Sequence, residues 1–532
     1  MRTIMHSGKI YQEKGKFCEA LLIEDGIIIK TGTSEQILKL YEDDTDIIDL
    51  MDSTVVPGFN DSHLHFYYHG VTLASLNVYG CTSIEEVIEK GQNFLRIHPD
   101  HTGYLWGRGW NQNQFTDEKR MLTKDDLDLI STDIPIVLGR ACGHVAVCNS
   151  KALELAHITD AFLVEGGEIL VGMDSKPNGL FAENAIELLD VLKPRLTVEA
   201  VERKIEQIAK IANSYGITSV STNDLHIGDE NSDIIEQAYL RYASKNPTVR
   251  INHQICYNSP QIFRARVSDG LPVLNDFLRY GPLKIFTDGS LGARTALLRN
   301  AYDDDPSTRG IACMTPQQID DYVQIASEHG IQVVAHAIGD QAMENVLDAY
   351  QKVSEFNKAL RHGIIHCQIT DHDILNRMKE LEVLALVQPI FLHADMHIVE
   401  DRIGKELASS SYAFKTMEDL GIHVSYGSDA PVENFNVFEG IHCAVNRQDL
   451  LGYPQSGFYP KEKVDVSTAI DNFTFEGSFS SYEEHKKGRL IAGQFADLVI
   501  LSDDIFSIGS DEIKDVFALK TMVNGEFVFS KQ

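Results

Sequence analysis

The sequence predicts an α/β protein built on a closed (β/α)8 TIM barrel, with a β-sandwich assembled from both termini and an inserted α/β subdomain. Three observations predict it. The centre of the chain alternates short apolar runs with amphipathic helical stretches, the signature of a parallel sheet with crossover helices. Both ends instead alternate short β-rich runs with turn signals. Between the first candidate strand and the second lie about 150 residues, where a βα unit needs roughly 30.

At the N-terminal end the β-rich runs are Thr3-Ile4-Met5, Glu19-Ala20-Leu21-Leu22-Ile23 and Ile27-Ile28-Ile29, the last two separated by the turn Glu24-Asp25-Gly26. At the C-terminal end they are Ala496-Asp497-Leu498-Val499-Ile500-Leu501 and the stretch 521–528, in which Asn524-Gly525 is a strong hairpin signal. Residues 1–56 and 481–532 are therefore expected to form one composite β-sandwich. The barrel is expected from 57–75 and 191–480, with eight candidate strands at 55–59, 217–222, 249–257, 283–287, 331–335, 363–366, 383–387 and 423–426. A doubly wound open sheet is the alternative. A structureless loop of the inserted length is implausible, so 76–190 are expected to form a subdomain over the barrel mouth.

A chain of 532 residues is too long for one core, which stops growing at roughly 250 to 300 residues, and is expected to be one large domain with appendages. With 43% hydrophobic and 23% charged residues the composition is that of a soluble globular protein. The excess of 78 acidic over 47 basic side chains repels phosphate backbones and anionic lipid, which disfavours nucleic-acid and membrane roles. The expected partner is a small molecule, with a homodimer among the assemblies allowed. No signal peptide or run of 18 apolar residues is visible, so a cytoplasmic location is expected. Eight scattered cysteines without a C-x-x-C pair read as reduced thiols, none assigned to metal.

The segment Val55-Val56-Pro57-Gly58-Phe59-Asn60-Asp61-Ser62-His63-Leu64-His65 is a β-run ending in two histidines spaced i, i+2. On extended backbone His63 and His65 share one face and can chelate one metal ion; two loop histidines without that role are the alternative. His336 follows Val333-Val334-Ala335, His366 follows Gly363-Ile364-Ile365, and Asp429 ends the eighth strand in Tyr426-Gly427-Ser428-Asp429-Ala430-Pro431. Each alone reads as a satisfied polar residue. Because the C-terminal ends of barrel strands converge in space, together they read as a metal site.

The order His-x-His, Lys, His, His, Asp resembles the amidohydrolase superfamily, specifically its amidohydrolase-3, YtcJ-like branch, over nearly the whole chain. Supporting motifs are Gly109-Trp110-Asn111-Gln112-Asn113, Gly143-His144 followed by Asn149-Ser150, Gln388-Pro389, Gly427-Ser428-Asp429-Ala430-Pro431-Val432 and Gly493-Gln494-Phe495-Ala496-Asp497-Leu498-Val499. The most specific is Lys284-Ile285-Phe286-Thr287-Asp288-Gly289-Ser290-Leu291-Gly292-Ala293-Arg294-Thr295-Ala296. Three departures stand out: Cys142 where relatives often carry Asp, Ile365 where Glu is usual, and a tail approach at 473–478 without the usual small residues. They bear on substrate identity, not on the ligand set.

The resemblance implies two divalent metal ions, zinc, held by His63, His65, His336, His366 and Asp429, with Lys284 carboxylated on its amine as a bridge. A carbamate supplies negative charge between two dications where an ammonium would be repelled. A lysine paired with Asp288 or Asp429 beside a single metal is the alternative. The implied activity is hydrolysis of carbon–nitrogen bonds other than peptide bonds (EC 3.5) by a metal-activated hydroxide, Asp429 taking the proton from water and returning it to the leaving nitrogen. Trp110, His144, Glu183 and Arg294 are candidate substrate-binding residues, each with a structural role as the alternative. Two further readings stay open: a one-metal deaminase or cyclic-amide hydrolase, and a non-catalytic regulatory binding protein on the same barrel.

Overall fold

Eight parallel strands follow one another in sheet order along the chain: β1 (Phe59–Leu64), β2 (Ile217–Thr222), β3 (Arg250–Tyr257), β4 (Leu278–Phe286), β5 (Val333–Ala337), β6 (Gly363–His366), β7 (Leu384–Val387) and β8 (Val424–Tyr426). This computed structural model describes residues 2–97, 103–141, 144–164, 166–193, 195–268, 273–354 and 359–531. Cys142 and Gly143, noted in the sequence, lie outside the described residues. β1, β2 and β3 are buried along their whole lengths, as expected of parallel strands covered on both faces. The helix Val198–Ser214 shows why the covering layer forms: Val201, Ile205, Ile208, Ala209 and Ala212 recur at helical spacing, and all are buried.

The seam between β1 and β8 is tied just beyond the end of β8. The Asp429 amide donates to the His63 carbonyl at 2.8 Å, and the His65 amide donates to the Ala430 carbonyl at 2.8 Å. Alongside, the Ser428 hydroxyl donates to the Asp61 carboxylate at 2.6 Å. Two expected metal ligands, His63 and Asp429, thus sit on the backbone that brings the ends of the sheet together.

The first barrel strand corrects an expectation. Residues 55–59 were expected to form it, but Thr54–Pro57 belongs to a terminal sheet, pairing with Leu498–Leu501 and with Lys9–Glu13. The chain passes from one sheet to the other at Gly58, whose amide donates to the Asp497 carbonyl at 2.9 Å, while the Phe59 amide donates to Gly216 at 3.0 Å. A Cβ at Gly58 would lie 2.2 Å from the Thr218 hydroxyl oxygen, so only glycine fits the crossing.

The two chain ends build two sheets. One has the order Ile27–Gly32, Ala20–Glu24, Arg2–His6, Thr45–Asp49; the other has the order Glu526–Ser530, Ala518–Val523, Leu498–Leu501, Thr54–Pro57, Lys9–Glu13, Lys16–Cys18. Met5, Leu21 and Ile23 from the first share a buried cluster with Ile10, Val55, Leu498 and Met522 from the second. Asn524 and Gly525 both take positive φ, 52° and 82°, the twist that a two-residue hairpin turn requires. At the base of β3 the Arg250 guanidinium binds Asp497 through two bonds of 2.7 and 3.0 Å and stacks on Phe495, anchoring the C-terminal segment to the barrel.

Contacts divide the chain into two units, Met1–His69 with Val198–Gln532, and Gly70–Thr197. The second unit has a mixed six-stranded sheet in the order Gly167–Val171, Pro177–Glu183, Val145–Cys148, Ile136–Arg140, Leu105–Trp110, Leu76–Asn77. Its helix Ile84–Ile97 buries Ile84 and Val87 in a core shared with Leu105, Leu127 and Leu138.

Candidate metal centre

The histidines stand at strand ends, and each is aimed by a hydrogen bond on its far ring nitrogen. His63 donates from Nδ1 to the Gln254 side-chain oxygen at 2.5 Å, while the Gln254 amide nitrogen donates to the Ser62 carbonyl at 3.0 Å, which fixes the orientation of that amide. His65 donates from Nδ1 to the Asn223 carbonyl at 2.9 Å, and His366 from Nδ1 to the Gln388 side-chain oxygen at 2.7 Å. A proton held on Nδ1 leaves the Nε2 lone pair for a metal. His336 is turned the other way, with Nε2 3.1 Å from the Gly289 carbonyl and 3.3 Å from an Asp288 oxygen, so Nδ1 is its available donor.

These atoms converge. The Nε2 atoms of His63 and His65 each lie 3.4 Å from the same Asp429 oxygen, Oδ1. One donor atom from each of His63, His366 and Asp429 falls within 4.8 Å of the others, and the His336 and His366 rings meet edge to face at 4.4 Å. His366 and Asp429 carry positive φ values of 76° and 56°, a conformation that costs energy in residues with a Cβ and recurs at functional sites.

Two buried polar atoms among these groups lack a hydrogen-bond partner among the described residues: Lys284 Nζ and Asp429 Oδ1. Lys284 is 1% exposed, and burial pushes its amine down to about 8. Burial alone would raise the Asp429 carboxyl, but the imidazoles of His65, His63 and His366 outweigh it and hold it below the usual carboxylate range. Burial holds His63 and His366 well below the ordinary imidazole value, the first helped by Lys284 and the second by His336. Imidazoles and a carboxylate are the donors a divalent cation selects, and the orphaned Oδ1 is an atom it would satisfy. The residues fit a divalent metal.

Asp288, Asn223, Gln254 and Gln388 support the site without having been picked out as supports in the sequence. Asp288 accepts from the amides of Leu297, Ile338 and Gly339 at 2.8–3.1 Å, locking the loops after β4 and β5 around His336. A polar Gln254 inside an otherwise β-rich run was the available signal. Asp61 is likewise buried at the seam, and burial raises its carboxyl to about 7 despite the hydrogen bonds from Ser428 and His63.

Of the four candidate substrate residues, Trp110, His144 and Glu183 belong to the second unit and Arg294 to the first. Trp110 is fully buried in the second unit, and its indole N–H donates to the Leu138 carbonyl at 2.9 Å, the packing role its sequence context also allowed. His144 and Glu183 are brought together in the same unit, Nδ1 to Oε2, at 3.0 Å, and both are exposed. Arg294 makes two bonds to Asp304, at 3.0 and 2.9 Å, the acidic-neighbour contact its sequence context also allowed.

The chain is similar to known proteins over nearly its whole length. A profile described as the amidohydrolase family matches residues 46–529. YtcJ of Bacillus subtilis (strain 168), which carries an amidohydrolase name, is 33% identical over 542 aligned positions, covering 100% of both chains. The N-substituted formamide deformylase of Arthrobacter pascens is 26% identical over 95% of this chain and 94% of its own. A crystal structure of a metal-dependent hydrolase from Pyrococcus furiosus superposes with a TM-score of 0.77 at 28% identity, covering 95% of this chain and 100% of that one.

Proposed function

Because this chain belongs to the amidohydrolase family, we propose that it is a metal-dependent hydrolase cleaving an amide-type, non-peptide carbon–nitrogen bond of a small molecule. The observation that carries the reading is the convergence of two Nε2 atoms on Asp429 Oδ1 beside an amine with no partner. His63, His65, His336, His366, Asp429 and Lys284 would hold two divalent ions, zinc. When bound, such ions make a water nucleophilic near neutral pH and polarise a carbonyl.

The rest is work for the chain's own groups. Asp429 takes a proton from the attacking water and returns it to the departing nitrogen, a role that suits a carboxyl held ionised by its histidine neighbours. Lys284 is suited to carboxylation: with its amine lowered to about 8, about a tenth is neutral at pH 7. The neutral amine adds to carbon dioxide, an N–C bond forms, one N–H proton leaves, and an anionic carbamate results. Gln254, Asn223 and Gln388 keep three imidazoles aimed throughout.

The formamide-cleaving relative makes N-substituted formamides the first substrates to try, and the amide-type reading adds simple amides and N-acyl amino acids. The test is release of free amine by the zinc-loaded chain, expected in wild type and abolished in Asp429→Asn. Full zinc occupancy with no amine released from any carbon–nitrogen substrate would overturn the reading. The His63, His366, Asp429 trio by itself also suits a one-metal deaminase or cyclic-amide hydrolase, and one zinc per chain in the active protein would favour that second reading.

A further inference from the structure

One imidazole at the same end of the barrel is left over by the ligand set. After β2 the chain runs through Asn223, whose carbonyl holds His65, and resumes as a short strand, His226–Ile227, paired in parallel with Cys256 and Tyr257 at the end of β3. The Cys256 amide donates to the Leu225 carbonyl at 2.9 Å and the Asn258 amide to Ile227 at 3.2 Å, so His226 is mounted on paired backbone and its position is set by the barrel wall.

The half-buried His226 ring lies nearly parallel to the Phe286 phenyl, 6.3 Å between centroids at 20°. That same phenyl has Lys284 Nζ 4.1 Å from its centroid and the His336 ring at 5.6 Å. Phe286 is thus a common platform for two expected ligands and for His226. Among the described residues neither ring nitrogen of His226 has a hydrogen-bond partner. In either protonation state an imidazole carries a ring N–H to donate.

We propose that His226 is a substrate-contacting residue that donates a hydrogen bond to the oxygen of the scissile carbonyl, and more strongly to the oxyanion that replaces it as water adds. The contact rests on the hydrolase reading above. A donor aimed at developing charge favours the transition state over the ground state, so its loss falls on kcat more than on KM.

The test uses the zinc-loaded full chain with methylphosphonate, a tetrahedral oxyanion, as the probe, its affinity measured by calorimetry in wild type, His226→Ala and His226→Asn. The alanine variant should keep its zinc and bind the probe about ten-fold more weakly, the worth of one hydrogen bond to a charged group. Asparagine, which retains an N–H, should recover part of that loss. Wild-type probe affinity in the alanine variant would overturn the contact, as would loss of zinc from it or a wild-type chain that does not bind methylphosphonate. The hydrolase reading fails separately: probe binding that depends on His226, with no turnover of any carbon–nitrogen substrate, would support the contact and remove the activity.

Discussion

Gln254→Leu removes the acceptor that aims His63 while keeping a side chain of similar length. In the wild-type chain His63 is 1% exposed, its Nδ1–H is held at 2.5 Å, and the same Gln254 amide satisfies the Ser62 carbonyl at 3.0 Å. Leucine leaves the donor and the carbonyl both unpaired where they are buried. An unsatisfied buried donor costs about 1–3 kcal/mol, and the released ring is free to change tautomer, so that Nε2 no longer faces Asp429. Loss of the partner behind a metal-ligating histidine costs about 10- to 100-fold in metal affinity, which at ~1.4 kcal/mol per decade is the same range. Zinc affinity by competition with a chelator should fall by that factor. Gln254→Glu, which keeps an acceptor for Nδ1, should fall less. A leucine variant with wild-type zinc affinity would refute the idea that Gln254 aims the ligand.

The other variants test the site and its support. His63→Ala, His336→Ala and His366→Ala should each lower bound metal and activity together, and full metal occupancy in all three by elemental analysis would sink the ligand assignment. Lys284→Ala should lose the second ion and nearly all turnover, with partial rescue by propionate as a stand-in for the carbamate; wild-type metal content in that variant would leave the one-metal reading standing. Asp497→Ala strands the Arg250 guanidinium, which is 2% exposed, and should destabilise the fold by about 3–5 kcal/mol. An unchanged urea midpoint would show that the pair does not hold the C-terminal segment.

The groups proposed to hold metal were legible because each stands in a local pattern. His63 and His65 share a face by strand alternation alone, and His336, His366 and Asp429 each close a short run that reads as a strand. Lys284 was legible differently, through the resemblance carried by the motif around it. The Asn524-Gly525 turn was readable from two residues, since few other pairs tolerate two positive φ values in succession.

The crossing at Gly58 had a local signal in the turn dipeptide Pro57-Gly58 between Val56 and Phe59, but the sheet that each side joins is set by partners far along the chain, Leu498–Leu501 on one side and Ile217–Thr222 on the other. Trp110 and Arg294 stand in suggestive motifs, yet their partners, Leu138 and Asp304, are set by packing. The aim of the ligands lay furthest from reach. His63 and Gln254 are 191 residues apart, and His65 and the Asn223 carbonyl 158. What the sequence by itself determined is which side chains arrive at the strand ends, since that follows from a backbone period of two residues. Which nitrogen of each ring faces the centre was decided by the tertiary structure, because one hydrogen bond across the barrel selects the tautomer, and a bond between distant strands leaves no period in the chain.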